Sequence, residues 1–185
     1  MSGKPERHSS DWKMFGRPGQ SGRPLLLRTR THADDVRVYA EQNGMARIRC
    51  ILAEGEANDA GMPKSTKDLD DYEDRLLGIL EQAGADVFLV AVVTGEGNRD
   101  LYFALRDFEE LRAGITASKS DVSSFRLQIA PIDKDGVPSF LKLLTLTPEM
   151  QQRAAAAGRV HGVEVERREG GGLFAKLFGR EREIK

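Results

Sequence analysis

The segment Asp86–Thr94, DVFLVAVVT, is apolar on both of its faces and is bracketed by Gly84 and Gly95. A run this short and this rich in valine forms a strand. With nothing polar to present on either side, both of its faces have to be kept from water. The chain must therefore hold an extended segment covered above and below. The neighbouring patterns show how. Gly95-Glu96-Gly97-Asn98 reads as a tight turn, and Arg99–Leu105 as the returning strand of a hairpin. Met45–Ala53 alternates, with Ala46, Ile48, Cys50 and Leu52 on one side and Arg47 and Arg49 on the other. Ser123–Pro131 alternates too, grouping Phe125, Leu127 and Ile129.

Between the strands lie two helical patterns. Ser65 and Asp68 mark a helix start, where a hydroxyl caps free amides and an acid meets the positive helix end. Leu69, Tyr72, Leu76, Ile79, Leu80 and Ala83 then recur at helical spacing until Gly84 stops the helix. Asp107–Ile115 places Phe108, Leu111 and Ile115 on one face of a second helix. From Met45 to Pro131 the order is strand, helix, strand, strand, helix, strand. That order predicts an α+β fold: a ferredoxin-like split βαβ antiparallel sheet with its helices on one face. The second sheet face is expected to be covered by residues 137–158 or by another subunit.

Charge sets the expected boundaries. Residues 1–30 hold seven basic and two acidic residues, a net of +5, and residues 159–185 hold seven and five, a net of +2. Subtracting both from the chain's −1 leaves −8 for the body. Residues 1–23, rich in Gly, Ser and Pro, are expected to form a flexible basic arm. Residues 24–158 form the domain and 159–185 a tail. Pro24–Thr31 is expected as an edge strand, His32–Asn43 as a short helix or turn, Pro138–Leu146 as a short C-terminal helix, and Pro148 as the start of another running to Gly158. No apolar run approaches ~20 residues, so no membrane-spanning helix is predicted. MSGKPERHSS lacks an apolar stretch behind its charges, which predicts no secretory leader and a cytoplasmic protein.

The loop Gly61-Met62-Pro63, the helix positions Leu69 and Glu73-Asp74, and the hairpin from Thr94-Gly95 through Arg99-Asp100-Leu101-Tyr102-Phe103 form a G-x-P, L-x-x-x-E-D, T-G-x-x-x-R-D-L-x-F series. In this order and spacing the series resembles the bacterial family called domain of unknown function 695, over roughly residues 36–146. The layout is similar to that of the ribonuclease E inhibitor protein B family. The resemblance implies a fold and no reaction.

Candidate chemistry is sparse. One cysteine and three scattered histidines exclude a disulfide scaffold and a Cys- or His-rich zinc site. Cys50, on the apolar side of its strand, is expected to be an inert thiol. Gly95-Glu96-Gly97 lacks the third glycine and following helix of a dinucleotide loop. Asp68, Asp70, Asp71, Glu73 and Asp74 read as a solvated acidic helix face rather than a cation site. Neither a metal nor a cofactor is expected. An enzyme reading would place Glu73, Asp74, Arg99 and Asp100 in an acidic pocket beside Pro63. An RNA reading would use Arg47, Arg49 and Tyr102 on the sheet, against the repulsion of the body's −8. In the tail, Leu173, Phe174, Leu177 and Phe178 follow the Gly170-Gly171-Gly172 hinge as a short apolar stripe. A stripe that short needs a surface to dock on. The expected function is a non-enzymatic protein-binding or regulatory module, with a protein partner or self-association and neither nucleic acid nor membrane as the target.

Overall fold

A computed structural model of the protein describes residue 5 and residues 12–30, 34–118 and 124–144. The elements in chain order are β1 (Trp12–Pro18), β2 (Pro24–Arg30), α1 (Asp34–Asn43), β3 (Met45–Leu52), α2 (Lys67–Gln82), β4 (Val87–Gly95), β5 (Asn98–Leu105), α3 (Phe108–Ser118), β6 (Phe125–Ile132), a 3₁₀ turn at Lys134–Gly136, and α4 (Val137–Leu144). Six strands form one sheet in the order β1-β2-β4-β5-β3-β6, and every neighbouring pair is antiparallel. The block β4-β5-β3-β6 is the ferredoxin-like arrangement, with β5 inserted between the two strands that α2 connects.

The first core lies between the sheet and the α2/α3 pair. It contains Ala46, Ile48 and Cys50 of β3, Leu101, Phe103 and Leu105 of β5, and Leu69, Tyr72, Leu76, Leu80, Leu111 and Ile115 of the helices. The helical spacing of these last residues is why α2 and α3 bury one stripe each. Gly114 lets the two helices approach closely, since a Cβ there would lie 2.6 Å from Leu80 Cδ2. The second core lies on the other side, where Val36, Tyr39 and Ala40 of α1 and Val137 and Leu141 of α4 meet Met45, Phe88, Val90, Ala91, Tyr102 and Ala104. The second face is thus covered by the chain's own α4, joined by α1, which is a full helix and not a turn.

The double cover of β4 depends on a β-bulge. The β4–β5 register slips between Leu89 and Ala91. Val87 and Leu89 face α2/α3, then Val90 and Ala91 both face α1/α4, and Val92 returns to the α2/α3 side. An extra residue of this kind re-aims every side chain beyond it. Thr94 and its partner Arg99 therefore face the helix pair.

Two expectations are corrected. Residues 12–18 do not belong to a flexible arm. They form β1, because each residue from Trp12 to Pro18 pairs with one of β2, and Phe15 opposite Leu27 is buried. A ready-made sheet edge supplies the backbone partners, so two aromatics are enough to seat the strand. For the same reason β2 is an inner strand, and the sheet edges are β1 and β6. At the start of α2 the Ser65 hydroxyl accepts from the Lys67 amide at 3.3 Å, as expected of a capping hydroxyl, while Thr66 at the cap position makes no side-chain bond to the helix. The other end of α2 is as expected: Gly84 donates to Glu81 O and Ala85 to Leu80 O, which closes the helix. No helix among the described residues is long and apolar enough to cross a membrane.

Candidate functional site

One end of the molecule gathers three turns and most of the buried charge. The β4–β5 hairpin closes with Glu96 and Gly97, both at positive φ (53° and 76°), the conformation a two-residue hairpin turn requires. The loop after β3 folds back on itself. Asn58 Oδ1 accepts from the Ala60 and Met62 amides at 3.0 Å each, and Ala57 bridges Pro63. The loop then clasps the hairpin: Gly97 donates to Gly61 O at 2.8 Å, and Leu52 donates to Gly97 O at 2.9 Å. Gly61, at φ +77°, sits so close that a Cβ would stand 3.0 Å from Glu96 N and Cα. The β1–β2 turn completes the group, with the Ser21 hydroxyl donating to Glu96 Oε1 at 2.7 Å and its amide at 3.1 Å. These bonds, the hydroxyl's first, hold the Glu96 carboxyl below its ordinary range.

Beneath the turns, four charged side chains meet between the sheet and α2. Arg99 is 2% exposed and donates to Asp70 Oδ1 at 2.6 Å. Its Nη1 lies 3.8 Å from Glu73 Oε2. Glu73, 7% exposed, takes Arg28 Nη2 on its other oxygen. Arg28 in turn lies over the Trp12 ring, 5.1 Å from its centroid, and Arg30 lies 5.6 Å from the same centroid. Two cations and two anions thus tie the β1–β2 hairpin, β5 and α2 together. Cys50 faces the same core, and burial pushes its thiol up to about 12. Tyr72, on the same helix as Asp70 and Glu73, is pushed up to about 12 by burial.

Asp100 belongs to a separate cluster. Successive strand residues point to opposite faces, so Asp100 lies on the α1/α4 side. There Arg49 Nε and Nη2 donate to its two oxygens at 2.7 Å each, and the Tyr102 hydroxyl donates at 3.2 Å. The hydrogen bonds that Arg49 donates to Asp100 raise its guanidinium above the ordinary value. Burial, helped by the Asp100 charge, raises Tyr102.

Of the residues proposed for an acidic pocket, only Glu73 and Arg99 come together. Asp100 lies on the far side of the sheet, and Asp74 is solvent-exposed on α2. Pro63 is half-buried and serves the loop bridge. The acidic face of α2 splits likewise: Asp68, Asp71 and Asp74 face water, whereas Asp70 and Glu73 turn inward to the arginines. Asp70 and Arg28 are the members that pattern reading missed. Arg28 was counted only among the basic residues of the first thirty; its signal was its place within an apolar strand, Pro24–Arg30. Tyr102 is buried with the Phe140 ring 4.9 Å away, so it offers no stacking surface for a base. No group of three or more His, Cys, Asp or Glu among the described residues is placed to hold a metal ion. Leu173, Phe174, Leu177 and Phe178 lie outside the described residues.

Comparison with family models, with curated proteins and with solved structures finds no match to this chain.

Proposed function

We propose that the chain is a cytoplasmic, non-enzymatic protein-binding or regulatory module, in keeping with its resemblance to the bacterial domain of unknown function 695. The observation that carries this reading is the charge network, whose members pair with one another. An active site keeps a reactive group poised, with its ionisation tuned toward working pH and a face open to substrate. Here Arg28, Glu73, Arg99 and Asp70 are spent on one another. Arg49, Asp100 and Tyr102 are spent on one another across the sheet. The one described thiol, Cys50, is buried and shifted away from the reactive thiolate. These charges fasten elements together, which leaves recognition to the outer surfaces of the sheet and helices.

A thermal-shift screen of the full chain against divalent metals and a panel of small metabolites tests the reading. No compound is expected to raise the melting temperature. A ligand at 100 times its Kd adds about 2.7 kcal/mol to stability. Such a shift would overturn the reading in favour of a small-molecule site beside the Gly61-Met62-Pro63 loop.

A further inference from the structure

The two edges of the sheet are defended unequally. In an antiparallel ladder, alternate residues of a strand direct both backbone groups toward the same neighbour. Ala53 N donates to Ser124 O, and Leu52 N donates to Gly97 O. Carried along the register, odd-numbered residues of β3 bond to β6 and even-numbered ones to β5. On β6 the even residues therefore face β3, and the amides of Phe125, Leu127 and Ile129 point outward with no strand beyond them among the described residues. Pro131 falls at the next outward position, where its missing N–H costs the ladder nothing.

On β1 the same reasoning starts from Gly19 N donating to Arg23 O, and it directs Trp12, Met14 and Gly16 outward. That strand carries Lys13 and Arg17 and ends on Pro18, the usual devices that discourage pairing. β6 shares only the proline near its end, Pro131, and has neither bulge nor lysine. Its register with β3 runs unbroken from Leu52↔Phe125 to Met45↔Ile132, and its one charge is Arg126. Leu127 and Ile129, half-buried, leave an apolar rim beside the α2/α3 core.

We infer that β6 is a docking edge and that its occupant is the β6 of a second copy of this chain, paired antiparallel about a twofold axis at Gln128. This rests on the binding-module reading and names the partner. The strand complements itself in that register. Leu127 stands opposite Ile129 of the second copy, and their outward amides and carbonyls exchange bonds. The Phe125 amide meets the carbonyl of Pro131, the one residue that has no amide to return. Arg126 faces Ala130, so no like charges are opposed. The half-buried leucine and isoleucine of both copies become one apolar strip, and the two sheets become continuous. Twofold pairing of one patch with itself is the commonest way that copies of a chain associate.

The test exploits Gln128, which is solvent-exposed and sits opposite itself, at a position where cross-strand side chains come closest. The full-length parent should sediment as a dimer whose fraction rises with concentration. Gln128→Lys and Gln128→Glu should each weaken dimerisation by about tenfold or more, through like charges placed face to face. Mixing the two variants should restore the dimer. A parent that is monomeric at every concentration overturns the inference, as does a dimer indifferent to both substitutions. Failure of the binding-module reading leaves another signature, a ligand-dependent thermal shift with sedimentation unchanged.

Discussion

Replacing Glu73 by Gln removes one charge from the centre of the network and leaves the shape intact. In the native protein Glu73 holds Arg28 on one oxygen and faces Arg99 with the other. The amide would leave two guanidinium groups converging on a neutral side chain, one of them on an arginine only 2% exposed. Removing one member of a buried ion pair costs ~3–5 kcal/mol. Two features hold the cost to the lower end. Arg99 retains Asp70 at 2.6 Å, and the Arg28 side chain is 30% exposed and can recruit water. The expected loss is about 3 kcal/mol. At ~2–4 °C per kcal/mol for a chain of this size, the melting temperature falls by about 6–12 °C. Urea unfolding should show the same loss as a lower midpoint with an unchanged slope. Asp71→Asn, which touches only the exposed Lys67, serves as the control and should leave the curve where it was. If Glu73→Gln unfolds within about 0.5 kcal/mol of the parent, a spread typical of surface substitutions, the network is not the fastening described here.

Two other perturbations probe neighbouring features. Cys50 ionises at about 12 when folded against an ordinary 9.0, so at high pH the folded state keeps a proton that the unfolded state loses. The Cys50 contribution to stability should therefore be full below pH 9 and be lost as pH rises from 9 toward 12, with the buried tyrosines adding to the fall above pH 10. Cys50→Ala should make the decline in urea midpoints shallower between pH 9 and 10. The Cys50 thiol should also resist a thiol reagent at pH 8 until denaturant is added. Gly61→Ala imposes positive φ on a side chain and brings its Cβ against the Glu96 backbone. A loss of about 1–3 kcal/mol by thermal melting is expected, and an unchanged melting temperature would mean that the loop does not clasp the hairpin.

How much could be read in advance follows from how much each signal is local. The alternation of Ala46, Ile48 and Cys50 and the helical spacing from Leu69 to Leu80 are properties of single elements, and they carried the ferredoxin-like order through to the observed sheet. β1 could not be read this way. Its seven residues hold little to bury, and what makes them a strand is the edge of β2 waiting beside them. The bulge at Val90 left no trace, because every residue around it is apolar and a slipped register changes no residue type. The split of Asp70 and Glu73 from Asp68, Asp71 and Asp74 was equally hidden. Which acids on a helix turn inward depends on where the partner arginines arrive, and Arg28 and Arg99 come from two distant strands. Arg99 and Asp100, adjacent in the chain, looked like one site and serve two, since a strand sends neighbours to opposite faces.

The central claim, that β6 is the recognition edge and a second copy its occupant, is tested most directly by amide hydrogen exchange resolved to single residues of β6. Amides of Arg126, Gln128 and Ala130, bonded to β3, should exchange slowly at any concentration of protein. Those of Phe125, Leu127 and Ile129 should exchange rapidly in dilute solution and slow as concentration rises. Rapid exchange at every concentration would show the edge bare, and slow exchange at every concentration would show it covered by the chain itself; either result contradicts the account.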